Sequence, residues 1–441
     1  VPSVSKPPVV SAEQAASLVK SGDWVDYGLN GAQPVVFDRA LAARAGELRG
    51  VKIRCGLALR PRATLEADPR GESFTLLAWH FSGADRKAHD AGLTHYIPMN
   101  FGEAPDYYRR FIERVDVAVL QTAPMDEHGY FNFSAAVTYL KAVTERAQKI
   151  VVEVNPAYPR VLGCEEGVHA SEVDFVVEGD GQPTPVLPAA PPTEVDKTVA
   201  RLIAAEIEDG SCLQIGIGGM PNAVCTMLKD AGAKDLGVHT EMLVDGMIEL
   251  YEAGLVNGSR KQLNRGQMVF TFALGSPRLY EFIHQNPGAQ SYPVDYTNLP
   301  DNIARNDRVV SINNTTQLDL QGQAASESSG HRHISGTGGQ LQFVRGAYAS
   351  KRGKSFICLS SVYERNGRRE SRIVTTLTPG NVVTTPRTDV MYVVTEYGMV
   401  NLKGLSVPER ARALIGIAHP DFREQLERDA REKNLIPRVW V

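Results

Sequence analysis

"SCLQIGIGGMPNAV", residues 211–224, runs a short apolar segment into three glycines, Gly216, Gly218 and Gly219, and then into a helix-forming stretch. A strand–glycine–helix junction of this kind is the building unit of α/β folds. It directs free backbone N–H groups, at the positive end of a helix, towards whatever lies in front. The loop is not a phosphate-binding P-loop, because no Gly-Lys-Ser/Thr follows. Nor is it the dinucleotide fingerprint, because Pro221 stands where the last glycine of G-x-G-x-x-G belongs. A purely structural tight turn stays open on the loop alone.

Working outward, the same alternation recurs. "RVDVAVLQTAP" (114–124) precedes a helical pattern, "KIVVEVNP" (149–156) follows it, and "VDFVVEG", "KSFICLS" and "DVMYVVTEYG" come later. Buried apolar runs alternating with helices predict parallel sheets with crossover helices. "GDWVDYGLNGAQPVVFDRAL" (22–41) repeats the opening junction, with a strand before Gly28 and Gly31 and then Pro34 at a helix start. The proline-rich stretch 179–197 carries no periodic pattern and reads as a linker or crossing segment. After it, Thr193 is the expected N-cap of a new helix with Glu194 in its first turn. The reading is two related α/β domains facing each other, residues 1–185 and 186–441.

Composition excludes several classes. At 441 residues the chain exceeds the usual size of one domain. Hydrophobic residues at 43% and charged residues at 22% are those of a globular protein. A net charge of −4 gives no basic face for nucleic acid, and no apolar run reaches the roughly eighteen residues of a membrane span. The N-terminus lacks the pattern of a secretory signal. Cys55, Cys164, Cys212, Cys225 and Cys358 are scattered without a C-x-x-C pair, so neither a disulfide framework nor a metal site is expected. A reduced, cytoplasmic protein is the expectation.

Three segments could carry chemistry with the opening loop. In "LGVHTEMLVDGMIELYEAG" (236–254), Glu241 falls at the tip of the next strand, where parallel α/β folds collect site residues, and its neighbours Met242, Leu243 and Val244 are apolar. A salt-bridged edge glutamate is the plain alternative. In "SSGHRHISGTGGQLQFVRGAYASKRGKS" (328–355), Gly336, Gly338 and Gly339 form a second glycine loop, though a hairpin turn explains them equally. Asn313 and Asn314 end a strand upstream.

The segments "HTEMLVDG", "SGTGGQLQFVRGA", "RIVTTLTPGNVVTTPRTDVMYVVTEYG" and "LSVPERARALIGIAHPDFREQL" closely resemble the acetyl-CoA hydrolase/transferase family, in its 4-hydroxybutyrate or butyrate:acetate CoA-transferase branch. "APMDEHGYFNFS" and "KIVVEVNPAYPRVLG" extend the resemblance through the first half. The resemblance implies two related open parallel-sheet domains of the CoA-transferase type with the active site between them, the second carrying the nucleophile. It implies a glutamyl-CoA thioester mechanism with Glu241 as nucleophile, and Asn313 orienting it by a hydrogen bond. The N–H groups of Ile217 and of Gly338 or Gly339 are expected at the oxyanion. Gly216, Ile217, Gly218, Gly219 and Met220 are expected along the CoA arm, with Gly330, Ser335, Gly339 and Lys351 as further CoA contacts. Lys351 sits in a basic turn of a kind that is usually just solvated.

Coenzyme A is then co-substrate and covalent partner rather than a resident cofactor, and no metal is needed. Partners are an acyl-CoA and a small carboxylic acid, with no nucleic acid and no membrane; family resemblance implies a homo-oligomer, dimer or tetramer. Gln317 and Gln342 stand where many relatives carry an acid, which leaves the acid preference open. Glu396 is expected to be structural, and Phe131 and Phe133 core. Other readings are an acyl-CoA hydrolase, a dicarboxylate transferase using Arg60 and Arg62, and a non-catalytic acyl-CoA-binding protein.

Overall fold

The computed structural model describes residues 5–188 and 190–437. Two large sheets organise it. The first contains β1 (Trp24–Leu29), β2 (Val51–Gly56), β3 (Phe74–Ala78), β4 (Thr94–Tyr96), β5 (Val115–Thr122), β6 (Ala147–Val154) and β7 (Phe175–Glu178). Its spatial order is β7-β6-β5-β1-β2-β3-β4, with every pairing parallel. The second contains β8 (Cys212–Ile215), β9 (Gly237–Val238), β10 (Val309–Asn314), β11 (Lys354–Cys358), β12 (Tyr392–Thr395) and β13 (Gly398–Asn401), in the order β9-β8-β10-β11-β12-β13. Only the β12–β13 edge is antiparallel. Together they give the α/β class that the alternation of apolar runs and helices predicts.

The sequence explains the layering. β5 reads "VDVAVLQT" and every residue in it is buried, as expected of a central parallel strand covered on both faces. One hydrophobic cluster spans both halves, joining Leu120 and Phe133 to Leu213, Phe270 and Ile312. Separate clusters fill the outer faces, around Phe37 and Ile53 in the first half and around Leu318, Ile357 and Leu414 in the second. The halves are further joined where the short strand Leu162–Gly163 pairs with Ala289–Ser291.

Both glycine junctions form. Near the end of β1 the chain passes Gly28 in a left-handed conformation (φ +72°), then a short 3₁₀ turn before the helix Val36–Ala42. After β8 it passes Gly218 (φ +124°) into the helix Gly219–Ala231, with Pro221 in the first turn. Thr193 caps the helix Glu194–Ala204, accepting the Asp196 N–H at 3.1 Å.

The proline-rich stretch forms no helix or strand between Glu178 and Glu194 among the described residues, yet it does not hang free. Pro183 accepts a hydrogen bond from Arg60 at 2.7 Å, and Leu187 N–H donates to Gly275 O at 3.0 Å. No described helix is long and apolar enough to cross a membrane.

In each sheet the strand order reverses next to the first strand, between β1 and β5 and between β8 and β10. Open α/β sheets bind ligands beyond the carboxyl ends of strands at such points. Here those ends, at Leu29, Leu57, Trp79, Gly216 and Glu241, line one shared cavity.

A buried ion pair braces the first sheet. Asp26 on β1 and Arg54 on β2 are register partners, joined at 2.9 Å with almost no exposure, and Tyr108 donates its hydroxyl to the same carboxylate. Removing one partner strands a buried charge. Asp26→Ala is expected to lower unfolding free energy by about 3 kcal/mol or more, read by guanidinium denaturation. The double change Asp26→Leu/Arg54→Met should cost clearly less. Equal costs would refute the assignment.

Candidate active site

Glu241 stands three residues past β9. Its carbonyl oxygen accepts the N–H groups of Thr271 and Phe272 at 3.0 and 3.2 Å, which fixes the main chain while the side chain borders the shared cavity. Carboxylate Oε2 accepts a hydrogen bond from Asn298 Nδ2 at 2.6 Å, and the Gly339 N–H donates to the same group. Gly339 caps the helix Gln340–Ala349, so the positive end of that helix also faces the carboxylate. A Cβ at 339 would overlap both Glu241 Oε2 and Asn298 Nδ2, so only glycine allows this approach.

Asn298 is held in turn. Its Oδ1 accepts the Thr297 hydroxyl at 2.8 Å, which leaves its nitrogen for Glu241. The Thr297 carbonyl accepts from Nε2 of His239 at 2.8 Å; since a carbonyl can only accept, the proton lies on Nε2. Burial, reinforced by the nearby Lys261 ammonium, pushes the His239 pKa down to about 3, so the ring is a neutral strut.

Desolvation sets the chemistry of Glu241. Burial raises its pKa to about 7, against the downward pull of Asn298 and Gly339. A carboxylate poised there is more basic than one in water, and about half ionised at pH 7.

The cavity has a volume of about 490 Å³. Leu29, Leu57, Leu59, Met99 and Phe101 give it apolar walls from the first half; Ile217, Phe272 and Leu274 do so from the second. A second cavity of about 420 Å³ lies across Ile217, Leu187 and Leu274, beside Gly218, Asn222 and Thr226. The second glycine loop is fastened to the first half. Phe101 N–H donates to Gly338 O at 3.0 Å, Gly102 N–H to Gln342 Oε1 at 2.8 Å, and Phe81 N–H to Ser335 O at 2.8 Å.

Residues 6–188 match the N-terminal domain of acetyl-CoA hydrolase/transferases, and residues 275–430 match the C-terminal domain. The chain is 47% identical over 428 residues to a butyryl-CoA:acetate CoA-transferase of Anaerostipes caccae, covering 96% of each. It is also 47% identical to a succinyl-CoA:cyclohexane-1-carboxylate CoA transferase of Geobacter metallireducens, covering 97% of this chain and 96% of that protein. The chain belongs to the acetyl-CoA hydrolase/transferase family. The crystal structure of RipA from Yersinia pestis superimposes with a TM-score of 0.89 at 38% identity, covering 97% of this chain and 98% of that one. Glu241 and the first glycine loop lie between the two matched domains.

Within this family member the expected site residues divide. Gly216, Ile217 and Gly338 line the first cavity, and Ile217 and Gly218 line the second. Gly219 instead backs onto Asp196 and Pro192, and the Met220 side chain is buried in the core. Asn313 does not reach Glu241. Its amide donates to Ser311 Oγ at 2.9 Å and to Gln214 Oε1 at 3.3 Å, because on β10 it faces the neighbouring strand β8. Asn298 holds the glutamate in its place.

Lys351 lies away from the Glu241 carboxylate. It follows the helix that starts at Gly339, roughly 15 Å along at the standard helical rise. Its carbonyl accepts the Arg308 N–H at the amino end of β10, so it belongs to the opposite edge of the sheet. Gly330 turns a small hairpin, its N–H on Asn381 Oδ1 at 2.6 Å, and Ser335 holds Phe81; neither lines a cavity described above.

Glu396 accepts from the Ser361 N–H and hydroxyl at 2.9 and 2.6 Å and is structural. Phe131 and Phe133 are core residues. Arg60 is turned to Pro183, and Arg62 is buried beside the Tyr27 ring, so neither faces the cavity. Gln317 holds Thr378 and Asn381. Sequence reasoning missed Asn298, Trp79, His80, Arg86, Met99 and Phe101. "AWHFSG" directly after β3 was the available signal, since strand ends of this kind gather site residues.

Glu241 is expected to titrate near pH 7, read as a carboxylate band in infrared difference spectra against Glu241→Gln. Asn298→Ala removes a donor to the charged form and should move that titration upward. The sign also fixes stability. The folded pKa lies above the ordinary 4.5, so the fold loses stability as pH rises from about 4.5 to about 7. Glu241→Gln should therefore melt higher than the parent protein above pH 7, with the gap closing below 4.5. A gap that widens in acid would reverse the assignment.

Proposed function

We propose that the protein is a CoA-transferase that moves CoA from an acyl-CoA to a free carboxylate through a covalent glutamyl-CoA thioester on Glu241. One observation carries this reading. The Glu241 carboxylate is gripped by Asn298 and Gly339 at the edge of an apolar cavity, between two glycine loops.

The steps follow from this arrangement. A carboxylate oxygen of Glu241 attacks the thioester carbonyl carbon, and the tetrahedral oxyanion collapses with loss of CoA thiolate, leaving a mixed anhydride. The thiolate then attacks the γ-carbonyl carbon of Glu241 and expels the first acid as its carboxylate, which leaves CoA on the enzyme. An incoming carboxylate attacks that thioester and the sequence runs in reverse. Charge is conserved at every step, so no proton needs to move.

Each addition makes an oxyanion, and backbone N–H groups at the two loops suit it, with Ile217 and Gly338 facing the cavity. A carboxylate is a weak nucleophile, and desolvation by the apolar walls strengthens it. The same walls keep water from the anhydride and thioester, which favours transfer over hydrolysis.

The first cavity, walled by Leu29, Leu57, Met99 and Phe101, fits the acyl chain. The second, past Ile217 and along Gly218, Asn222 and Thr226 with Asp245 and Glu249 also in its lining, offers polar neighbours to the amides and hydroxyls of the pantetheine arm. Short apolar acids such as butyrate and acetate are the expected pair.

Incubation with butyryl-CoA should leave a CoA adduct on the Glu241 peptide by mass spectrometry, discharged by acetate. Glu241→Ala should form no adduct and lose exchange by at least about a thousandfold, the scale for removing a covalent nucleophile. Exchange that persists in Glu241→Ala, or that proceeds in the parent protein with no adduct, would exclude the mechanism.

A further inference from the structure

Apart from Glu241, the first cavity has one charged side chain in its lining, Arg86; the one imidazole there, His80, is held neutral by burial, its pKa pushed down to about 4. Arg86 lies one turn into the helix Gly83–Asp90, which follows β3, and is half-buried. Among the described residues its guanidinium makes one hydrogen bond, from Nη1 to the Ile334 carbonyl at 3.0 Å. That leaves most of a planar fork of donors unspent.

The nearby acids are committed elsewhere. Asp85 accepts the N–H groups of Ser82 at 2.7 Å and Ala58 at 3.3 Å, and Asp90 pairs with Arg332. Arg86 therefore brings spare guanidinium donors to the wall of a largely apolar cavity.

Two anions could reach it, the far end of the acyl group or the phosphates of CoA. Position favours the first. His80, the neighbour of Arg86 in the lining, comes close to Gly338, and Gly339 touches the nucleophile. Arg86, His80, Gly338 and Glu241 thus line the same cavity. The whole pantetheine arm separates the CoA phosphates from the sulfur, and its proposed route leaves on the other side of Ile217.

We propose that Arg86 is a specificity-determining residue that receives the far carboxylate of an α,ω-dicarboxylic acyl group whose thioester end lies at Glu241. This rests on the CoA-transferase reading above. The apolar walls take the methylene chain, and the cation at the far end discriminates by its terminus. The cavity then serves two classes of acid, with Arg86 bidentate to the dicarboxylates.

Butyryl-CoA and succinyl-CoA have acyl chains of equal length and differ in a terminal methyl against a carboxylate. Each is offered as donor to acetate with the parent protein, Arg86→Met, Arg86→Gln and Arg86→Lys. The ratio of kcat/KM for succinyl-CoA over butyryl-CoA should fall by about tenfold or more in the Met and Gln variants, mainly through KM, and recover in part with Lys. Gln keeps a donor for Ile334, so it carries the test if Met fails to fold. A loss equal for both donors would assign Arg86 to CoA phosphate or to fastening the loop, and would overturn the proposal. A parent protein that exchanges butyryl-CoA but ignores succinyl-CoA overturns it as well. One that exchanges neither sinks the CoA-transferase reading itself.

Discussion

The site depends on one close approach, that of the Gly339 backbone to the Glu241 carboxylate. No side chain fits between them, because the space a Cβ would need is filled by the carboxylate and the Asn298 amide. The second glycine loop can come that close only because the first half holds it. Phe101, Gly102 and Phe81 all bond the segment 335–342, and Thr337 N–H donates to the Tyr96 hydroxyl at 3.1 Å. Tyr96 in turn stacks on His333 at 3.5 Å. The geometry around the nucleophile is therefore a property of both halves, although Glu241, Asn298 and Gly339 all come from the second.

The same approach balances the electrostatics. Packing the carboxylate among protein atoms raises its pKa, and on that account alone it would be protonated and inert at neutral pH. The Asn298 amide, the Gly339 N–H and the helix behind it oppose this without supplying a formal positive charge. A lysine or arginine in their place would lower the pKa far more, and would hold the carboxylate as an unreactive ion pair. Neutral donors stabilise the anion modestly and leave its basicity, which suits the proposed role of a group that attacks, leaves and attacks again.

Much of the fold was legible because it rests on local periodicity. Apolar runs such as 115–122 and 149–154 state a buried parallel strand in their own residues, and the glycine junctions mark where strands turn into helices. Glu241 was legible as a carboxylate with apolar neighbours at a strand tip. Asn298 was not, because its role comes from a partner 57 residues away in the chain and nothing in "YTNLP" marks it. Asn313 misled for the complementary reason. A strand-end asparagine looks available, but the sheet turns its amide towards Gln214 and Ser311.

The division of labour between halves has a consequence for how the site can vary. The proposed nucleophile Glu241 and its partners Asn298 and Gly339 sit on segments that follow or return to the strands of one sheet. The residues proposed to meet the far end of the acyl chain end or follow β1, β2 and β3 of the other sheet, at Leu29, Leu57, Trp79, His80 and Arg86. The backbone bonds from Phe81, Phe101 and Gly102 that fasten the glycine loop use main-chain N–H groups, so Leu29 and Leu57 can change while those bonds persist, whereas His80 and Arg86 also touch the loop through their side chains. Relatives about equally identical to this chain carry names with butyryl and with succinyl donors, which is the pattern expected when the reaction is fixed by one half and the acid by the other. A wall residue such as Arg86 is then free to set the substrate, since it acts on the end of the ligand that does not react.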